Sequence, residues 1–113
     1  MASKQQDIAD GTLVVRTAKN DEIHTIALCG ELDLANASTA EAALEELLDG
    51  GTPVVVDMRE LEFIDSTGIA LLVAALGRGG DETRVRFIPS TAPAVTRVLE
   101  LTGLAERLPL ADA

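Results

Sequence analysis

Aromatic residues are scarce in this 113-residue chain, which has two phenylalanines, Phe63 and Phe87, and no tryptophan or tyrosine. Proteins that bind single-stranded nucleic acid stack the bases on aromatic side chains, and this chain lacks such a platform. Basic residues are also few, with 9 against 19 acidic ones, and the net charge of -10 repels phosphate backbones and anionic lipid headgroups. We therefore expect no direct nucleic-acid partner and no membrane partner.

Residues for metal sites, disulfides and membrane spans are equally scarce. Cys29 and His24 are the only residues of their kinds, whereas a disulfide needs two cysteines and metal sites usually use several such ligands. The longest apolar run, residues 69–76, is far shorter than the roughly 20 residues of a membrane-spanning helix. No secretion signal is recognisable at the N-terminus. We expect no metal, no cofactor and a cytoplasmic location.

The alternation of hydrophobic patterns predicts a single α/β domain. Residues 1–10 are polar and predict a flexible tail, and residues 11–113 predict the domain itself. Strands are predicted at residues 12–17 and 23–30, joined as an antiparallel hairpin, and again at 53–58 and 84–88. Residues 53–58 are so apolar that they predict an interior strand covered on both faces.

Helices are predicted between these strands. Apolar residues recur at helical spacing over residues 36–48 and about 66–76, and Pro93 is placed to begin a third helix. The last residues, 106–113, predict at most a short edge strand. The resulting order, β-β-α-β-α-β-α, indicates a mixed sheet of four to five strands packed with helices on at least one face.

The segment FIDSTG, residues 63–68, falls where such folds tend to bind ligands, beyond the carboxyl ends of parallel strands. Asp65 and Ser66 are both suitable N-cap residues for the helix that follows. The free N–H groups of a helix start also favour an anion, so the Ser66 hydroxyl lies at a position suited to a phosphate. The residues alone leave both readings of Ser66 open, as a helix cap and as a modification site.

Three segments carry a resemblance to a known family. GELDLANA (30–37), VVVDMRELEFIDSTGIALLV (54–73) and APAVTRVLELTGL (92–104) occur in the order and spacing of a STAS domain of the anti-sigma factor antagonist type. The resemblance covers about residues 12–110, and the middle segment is its most specific part. It implies a mixed sheet flanked by helices, a regulatory protein rather than an enzyme, and phosphorylation of Ser66.

The resemblance also implies a cycle of partners. An anti-sigma factor that is a serine kinase binds the unphosphorylated protein and releases its sigma factor, whereas phosphorylation of Ser66 ends that binding and a serine phosphatase restores it. A phosphoryl group adds roughly -1.5 to -2 charge. A partner that presents an acidic or an apolar surface beside Ser66 would then no longer bind.

The partner-binding surface is predicted around Ser66. On the second helix Ile69, Leu72, Val73 and Leu76 are assigned to the core, which leaves a small apolar surface; burial of the helix on all sides is the alternative. The predicted partner-binding residues are Asp33, Asp65, Ser66, Thr67, Gly68, Ala70, Leu71 and Ala74. For Asp33 the alternative is a cap on the helix that begins near Asn36.

Other functions are less consistent with the sequence. Asp57 follows a buried strand, as the phosphorylated aspartate of a two-component receiver does, but a receiver begins β-α and uses a later lysine, and this chain has none beyond Lys19. His24 lies within a strand, which disfavours a Ser-His-Asp hydrolase. Cys29 is interpreted as a small buried apolar residue, with a redox role as the lesser alternative. A STAS adaptor that is never phosphorylated, in a lipid-transport or stress-signalling complex, remains the alternative function.

Overall fold

The computed structural model describes residues 4–78 and 84–111. The elements in chain order are β1 (Lys4–Asp10), β2 (Leu13–Lys19), β3 (His24–Leu32), α1 (Ala37–Leu48), β4 (Val54–Asp57), β5 (Leu61–Ile64), α2 (Ser66–Arg78), β6 (Val85–Ile88), α3 (Pro93–Leu101) and a 3₁₀ turn (Leu104–Glu106). The predicted α/β fold, with its mixed sheet and three helices, is confirmed.

The sheet has the strand order β1-β2-β3-β4-β6, and β5 pairs with the end of β3. Strands β1, β2 and β3 form an antiparallel meander, as the short polar turns between them favour. The pairs β3–β4, β3–β5 and β4–β6 are parallel. The first residues of β3 pair with β4 and its last residues pair with β5, so β4 and β5 both pair with the same long strand.

Two strands differ from the sequence-based expectation. The predicted flexible tail is wrong for residues 4–10, because these residues pair with β2 over their whole length as the edge strand β1. Residues 1–3 lie outside the described part of the chain. Gly11, with φ of 61°, turns the chain between β1 and β2. Strand β5 was not predicted either, so the described residues contain six strands rather than four to five.

The helices cover one face of the sheet, and a single cluster of buried side chains lies between them and the strands. Strand β4 shows the arrangement clearly, because Val54 and Val56 are buried while Val55 and Asp57 are only half-buried. The expectation that this strand is covered on both faces is therefore wrong. The open face carries the ion pair between Asp57 and Arg59, which fits a surface in contact with water.

Strand β6 lies at one end of the strand order, in agreement with the two arginines in its sequence. Arg86 donates to the carbonyl of Leu110 at 3.1 Å, and Leu110 forms an isolated bridge with Phe87. Arg84 donates to the carbonyl of Leu48 at the end of α1. Both arginines thus hold neighbouring segments of the domain. Among the described residues, no helix combines the length and the apolar character that crossing a membrane requires.

Candidate functional site

The ends of β3 and β5 lie side by side and bring two loops together. Leu32 pairs with Ile64 at the last position of both strands, and the backbone N–H of Asp65 donates to the carbonyl of Leu32 at 3.2 Å. Residues 33–36 then lead from β3 into α1, and Asp65 leads from β5 directly into α2. The FIDSTG and GELD segments, 30 residues apart in the chain, therefore meet at one site, and FIDSTG lies beyond the carboxyl ends of parallel strands as predicted.

The carboxylate of Asp65 joins these two loops. Its Oδ1 accepts hydrogen bonds from the backbone N–H groups of Thr67 at 2.9 Å and Gly68 at 3.0 Å, which is the geometry of an N-cap residue. Its Oδ2 accepts a hydrogen bond from the N–H of Leu34 at 3.1 Å. One carboxylate thus begins α2 and also holds the loop before α1.

Ser66 is the first residue of α2 and its side chain is exposed. Asp65 occupies the N-cap position, because its carboxylate accepts from Thr67 and Gly68 and its carbonyl accepts from the N–H of Ile69, so Ser66 is not the cap of this helix. Its hydroxyl makes no hydrogen bond to any residue in the described part of the chain. Of the two sequence-based readings, the capping one is wrong, and the hydroxyl is left facing solvent at the positive end of a helix.

Asp33 and Asn36 shape the loop before α1. Asp33 accepts a hydrogen bond from the N–H of Ala35 at its Oδ1, so its carboxylate closes a local turn rather than capping the helix. Asn36 is buried, accepts from the N–H of Asp33 and donates to the carbonyl of Glu31. Asn36 was missed as a site residue, although an asparagine before a helix is a recognisable cap signal. Its side chain instead fixes the loop that carries Asp33 and Leu34.

Helix α2 is not buried on all sides. Its core-facing residues Ile69, Leu72 and Leu76 and its exposed residues Ala70 and Ala74 agree with the sequence-based expectation, whereas two residues differ from it. Leu71 is only 6% exposed and Val73 is 42% exposed, which is the reverse of the expectation for both residues. Gly68 is also buried, because the helix packs there against Leu32 and Ile64. The exposed apolar surface of α2 therefore consists of Ala70, Val73 and Ala74.

A groove lies between α2 and the beginning of α1, next to Ser66. It has a volume of about 290 Å³, and Thr67, Ala70 and Leu71 form its α2 side. Leu34, which is 77% exposed, stands at its edge. Leu34 was not predicted as a site residue, because nothing in its sequence context separates an exposed leucine from a buried one.

Acidic side chains dominate both segments that build the site. Residues 31–49 and 60–77 contain nine aspartates and glutamates and no lysine or arginine. Within the described ranges, no group of three or more His, Cys, Asp or Glu side chains is arranged to hold a metal ion. Both segments are therefore acidic, and the domain neutralises part of this charge itself, because Glu45 and Asp49 pair with Arg78 and Glu46 pairs with Lys19.

The other candidate residues lie away from this site. His24 begins β3 while Ser66 follows the opposite end, and β3 spans roughly 26 Å at about 3.3 Å per residue, which is too far for a catalytic pair. Asp57 pairs with Arg59 at 2.8 Å, and the hydrogen bonds from Arg59 hold the pKa of Asp57 below its ordinary value. Cys29 is half-buried rather than buried; desolvation, followed by repulsion from Glu60, raises the pKa of its thiol and disfavours the reactive thiolate.

Comparison with known proteins identifies the family. The family described as "Mlab, STAS domain" matches residues 15–111. The anti-sigma-B factor antagonist of Staphylococcus aureus is 26% identical over 95 residues, which are 83% of this chain and 88% of that protein. The anti-sigma-F factor antagonist RsfB of Mycobacterium tuberculosis is 27% identical over 97 residues, 85% of this chain and 79% of its own length.

A solved structure agrees with these sequence matches. The crystal structure of an anti-sigma factor antagonist from Mycobacterium paratuberculosis superposes with a TM-score of 0.80 and 27% identity, and the match covers 93% of this chain and 90% of that one. The family match includes most of β2, all of β3 to β6 and all three helices described above. This chain belongs to the STAS domain family.

Proposed function

We propose that this protein is an anti-sigma factor antagonist that is switched by phosphorylation of Ser66. The three relatives described above are all named as anti-sigma factor antagonists, and each match covers more than three quarters of both chains. The partner is an anti-sigma factor, which the unphosphorylated protein binds so that a sigma factor is released. The protein acts by binding, in the cytoplasm, and carries out no catalysis of its own.

The observation that carries the proposal is the state of the Ser66 side chain. Its hydroxyl is exposed and forms no hydrogen bond within the described residues. It does not cap the helix, because Asp65 does. A serine kinase can therefore approach it without disrupting the fold. In the transfer, Ser66 Oγ forms a bond to the γ-phosphorus of ATP, the bond between that phosphorus and ADP breaks, and the hydroxyl proton passes to a base of the kinase.

The nucleotide held by the kinase explains why binding is lost after the phosphoryl transfer. Since the γ-phosphate must reach Ser66 Oγ, the nucleotide phosphates lie beside this residue in the complex. A phosphoserine of about -1.5 to -2 charge then faces those phosphates and the neighbouring Asp65, and like charges in a contact disfavour the complex. Within the domain, the helix start offsets part of this repulsion by about 0.3 to 1 kcal/mol, so the fold is retained.

The test is incubation of the protein with each candidate anti-sigma kinase of its source organism and ATP, followed by intact mass measurement. The wild type should gain one phosphate, Ser66→Ala should gain none, and Thr67→Ala, the neighbouring hydroxyl, should still gain one. A serine phosphatase should remove the phosphate. Phosphate on the Ser66→Ala variant would refute the assignment of the site.

A STAS adaptor that docks through the same face without phosphorylation is the second candidate, because the matching family description names Mlab rather than an antagonist. In a lipid-transport or stress-signalling assembly, the protein would bind its partner whether or not Ser66 carried a phosphate. Failure of every candidate kinase to modify the protein, together with stable binding to a non-kinase partner, would favour this adaptor function.

A further inference from the structure

The groove beside Ser66 has the size and lining of a receptor for one side chain. Its volume of about 290 Å³ falls just below the roughly 300–1,000 Å³ of small-molecule pockets. Leu71 and Ala37, both nearly buried, line it together with Ala70, and the exposed Leu34 stands at its edge. An apolar side chain would find contacts on several sides, and the polar lining residues Ser38, Glu41 and Thr67 would face a polar or charged group beside it.

The position of the groove connects it to the proposed phosphorylation site. Ala70 follows Ser66 by four residues, so the two side chains lie on the same face of α2, about 5–6 Å apart between Cβ atoms. Asp65 holds the backbone of Leu34 against the start of the same helix. A protein that reaches the Ser66 hydroxyl therefore also covers the groove.

The charge beside the groove indicates which partner fits. Glu45 of α1 pairs with Arg78, and Glu46 pairs with Lys19 at 2.8 Å. Glu41, which lines the groove on the same helix, is exposed and has no cationic partner among the described residues. The domain neutralises the glutamates of α1 that lie away from the groove and leaves the one beside it free.

We infer that the groove receives an apolar side chain of the anti-sigma factor, flanked there by an arginine or lysine that pairs with Glu41. This inference rests on the proposed function and names the chemistry of the partner's contact. Leu34 extends the apolar contact area, and Glu41 selects against partners that present an acidic residue at this point. The contact is separate from Ser66, whose phosphate acts against the nucleotide of the kinase.

Two pairs of matched variants test the inference. Leu34→Ala removes a leucine at the groove that is 77% exposed, and Leu101→Ala removes one on α3 that is 78% exposed. Glu41→Arg reverses the charge at the groove, and Glu100→Arg makes the same change in net charge on an exposed position of α3. The probe is the purified anti-sigma factor that binds the wild type, and the measurement is its dissociation constant by calorimetry at two salt concentrations.

Leu34→Ala and Glu41→Arg should each weaken binding by about tenfold or more, as truncation or reversal of a central contact does. The loss from Glu41→Arg should shrink at the higher salt concentration, because screening weakens an exposed ion pair. Both α3 variants should bind within about twofold of the wild type. Circular dichroism should show all four variants folded, since the substituted side chains are exposed.

Two results would overturn the inference. The first is unchanged affinity of Leu34→Ala and Glu41→Arg while Ser66→Asp loses binding; the proposed function would then stand and the groove would not be the contact. The second is a wild-type dimer in sedimentation that Leu34→Ala disrupts, because a second copy of the chain would then occupy the groove. If no anti-sigma factor of the source organism binds the wild type, the proposed function fails and this inference fails with it.

Discussion

Substitution of Asp65 tests how the site is held together, because its two carboxylate oxygens accept hydrogen bonds from two different segments. Oδ1 accepts from two N–H groups at the start of α2, and Oδ2 accepts from the N–H of Leu34. Asp65→Ala removes both. Loss of an N-cap costs about 1 kcal/mol, and loss of a hydrogen bond to a half-buried charged group costs about another 1 kcal/mol.

These contributions convert into a change in melting temperature. At about 2.1 cal/mol/K per residue, unfolding of a chain of this length has an entropy of about 0.24 kcal/mol/K. The loss of about 2 kcal/mol in Asp65→Ala should therefore lower Tm by about 8 °C. Asp65→Asn keeps an oxygen for the helix cap but turns an amide N–H₂ toward the N–H of Leu34, so it should lower Tm by only about 4 °C.

The assay is thermal unfolding followed by circular dichroism, with Ser66→Ala as the control at the neighbouring position. Ser66→Ala should change stability by less than about 0.5 kcal/mol, because its hydroxyl makes no hydrogen bond to a described residue. A Tm drop for Ser66→Ala equal to that of Asp65→Ala would show that the serine is the cap. Equal losses for Asp65→Asn and Asp65→Ala would contradict the separate roles of the two oxygens.

Two further predictions concern stability. Gly68→Ala should lower the free energy of unfolding in urea by about 1–3 kcal/mol, because the added Cβ would lie 2.5 Å from Cγ1 of Ile64. The control is Gly77→Ala on the same helix, whose added Cβ meets nothing within 4 Å and should raise the free energy of unfolding by about 0.5–1 kcal/mol. A Gly68→Ala variant more stable than the Gly77→Ala variant would contradict the packing of α2. Arg59 lowers the pKa of Asp57 below its ordinary 3.8, so the stability from this pair is present above that value and is lost as the pH falls through the lower folded pKa. Arg59→Gln should lower stability at pH 7 and by less at pH 3, and an equal loss at both pH values would refute the pairing.

Much of the fold was predictable because the hydrophobic periods of the central segments are clear. The alternation of β2 and β6 and the helical spacing of α1 placed these elements within a few residues. Strand β1 was missed because its sequence is polar, as the edge of a sheet allows. The pair Asp10–Gly11 before an alternating segment was an available hairpin signal.

Strand β5 and the orientation of α2 show where sequence patterns are insufficient. Two of the four side chains of β5 are exposed, so its sequence resembles that of a loop. Its strand conformation depends on pairing with β3. On α2 nearly every residue is apolar, and such a helix gives no polar face from which to choose its buried side. Contacts with β5 and α1 decide that Leu71 faces inward and Val73 outward.

The position of the site was predictable, but its internal connections were not. The helix start at Asp65 and Ser66 followed from capping rules, and Asp33 was placed nearby through the resemblance. Which of the two residues caps the helix depends on side-chain geometry that the sequence leaves open. Leu34 is held at the groove by the bond from its N–H to Asp65, which joins residues 31 positions apart, and by the Asn36 side chain that fixes its loop.

The central claim is that a phosphate on Ser66 ends binding to an anti-sigma kinase while the domain stays folded. The most direct measurement is the affinity of that kinase, with bound ADP, for the unphosphorylated protein and for the protein phosphorylated on Ser66, each checked for an unchanged circular dichroism spectrum. The account predicts that phosphorylation weakens binding by at least about tenfold. Equal affinity of the two folded forms would contradict it.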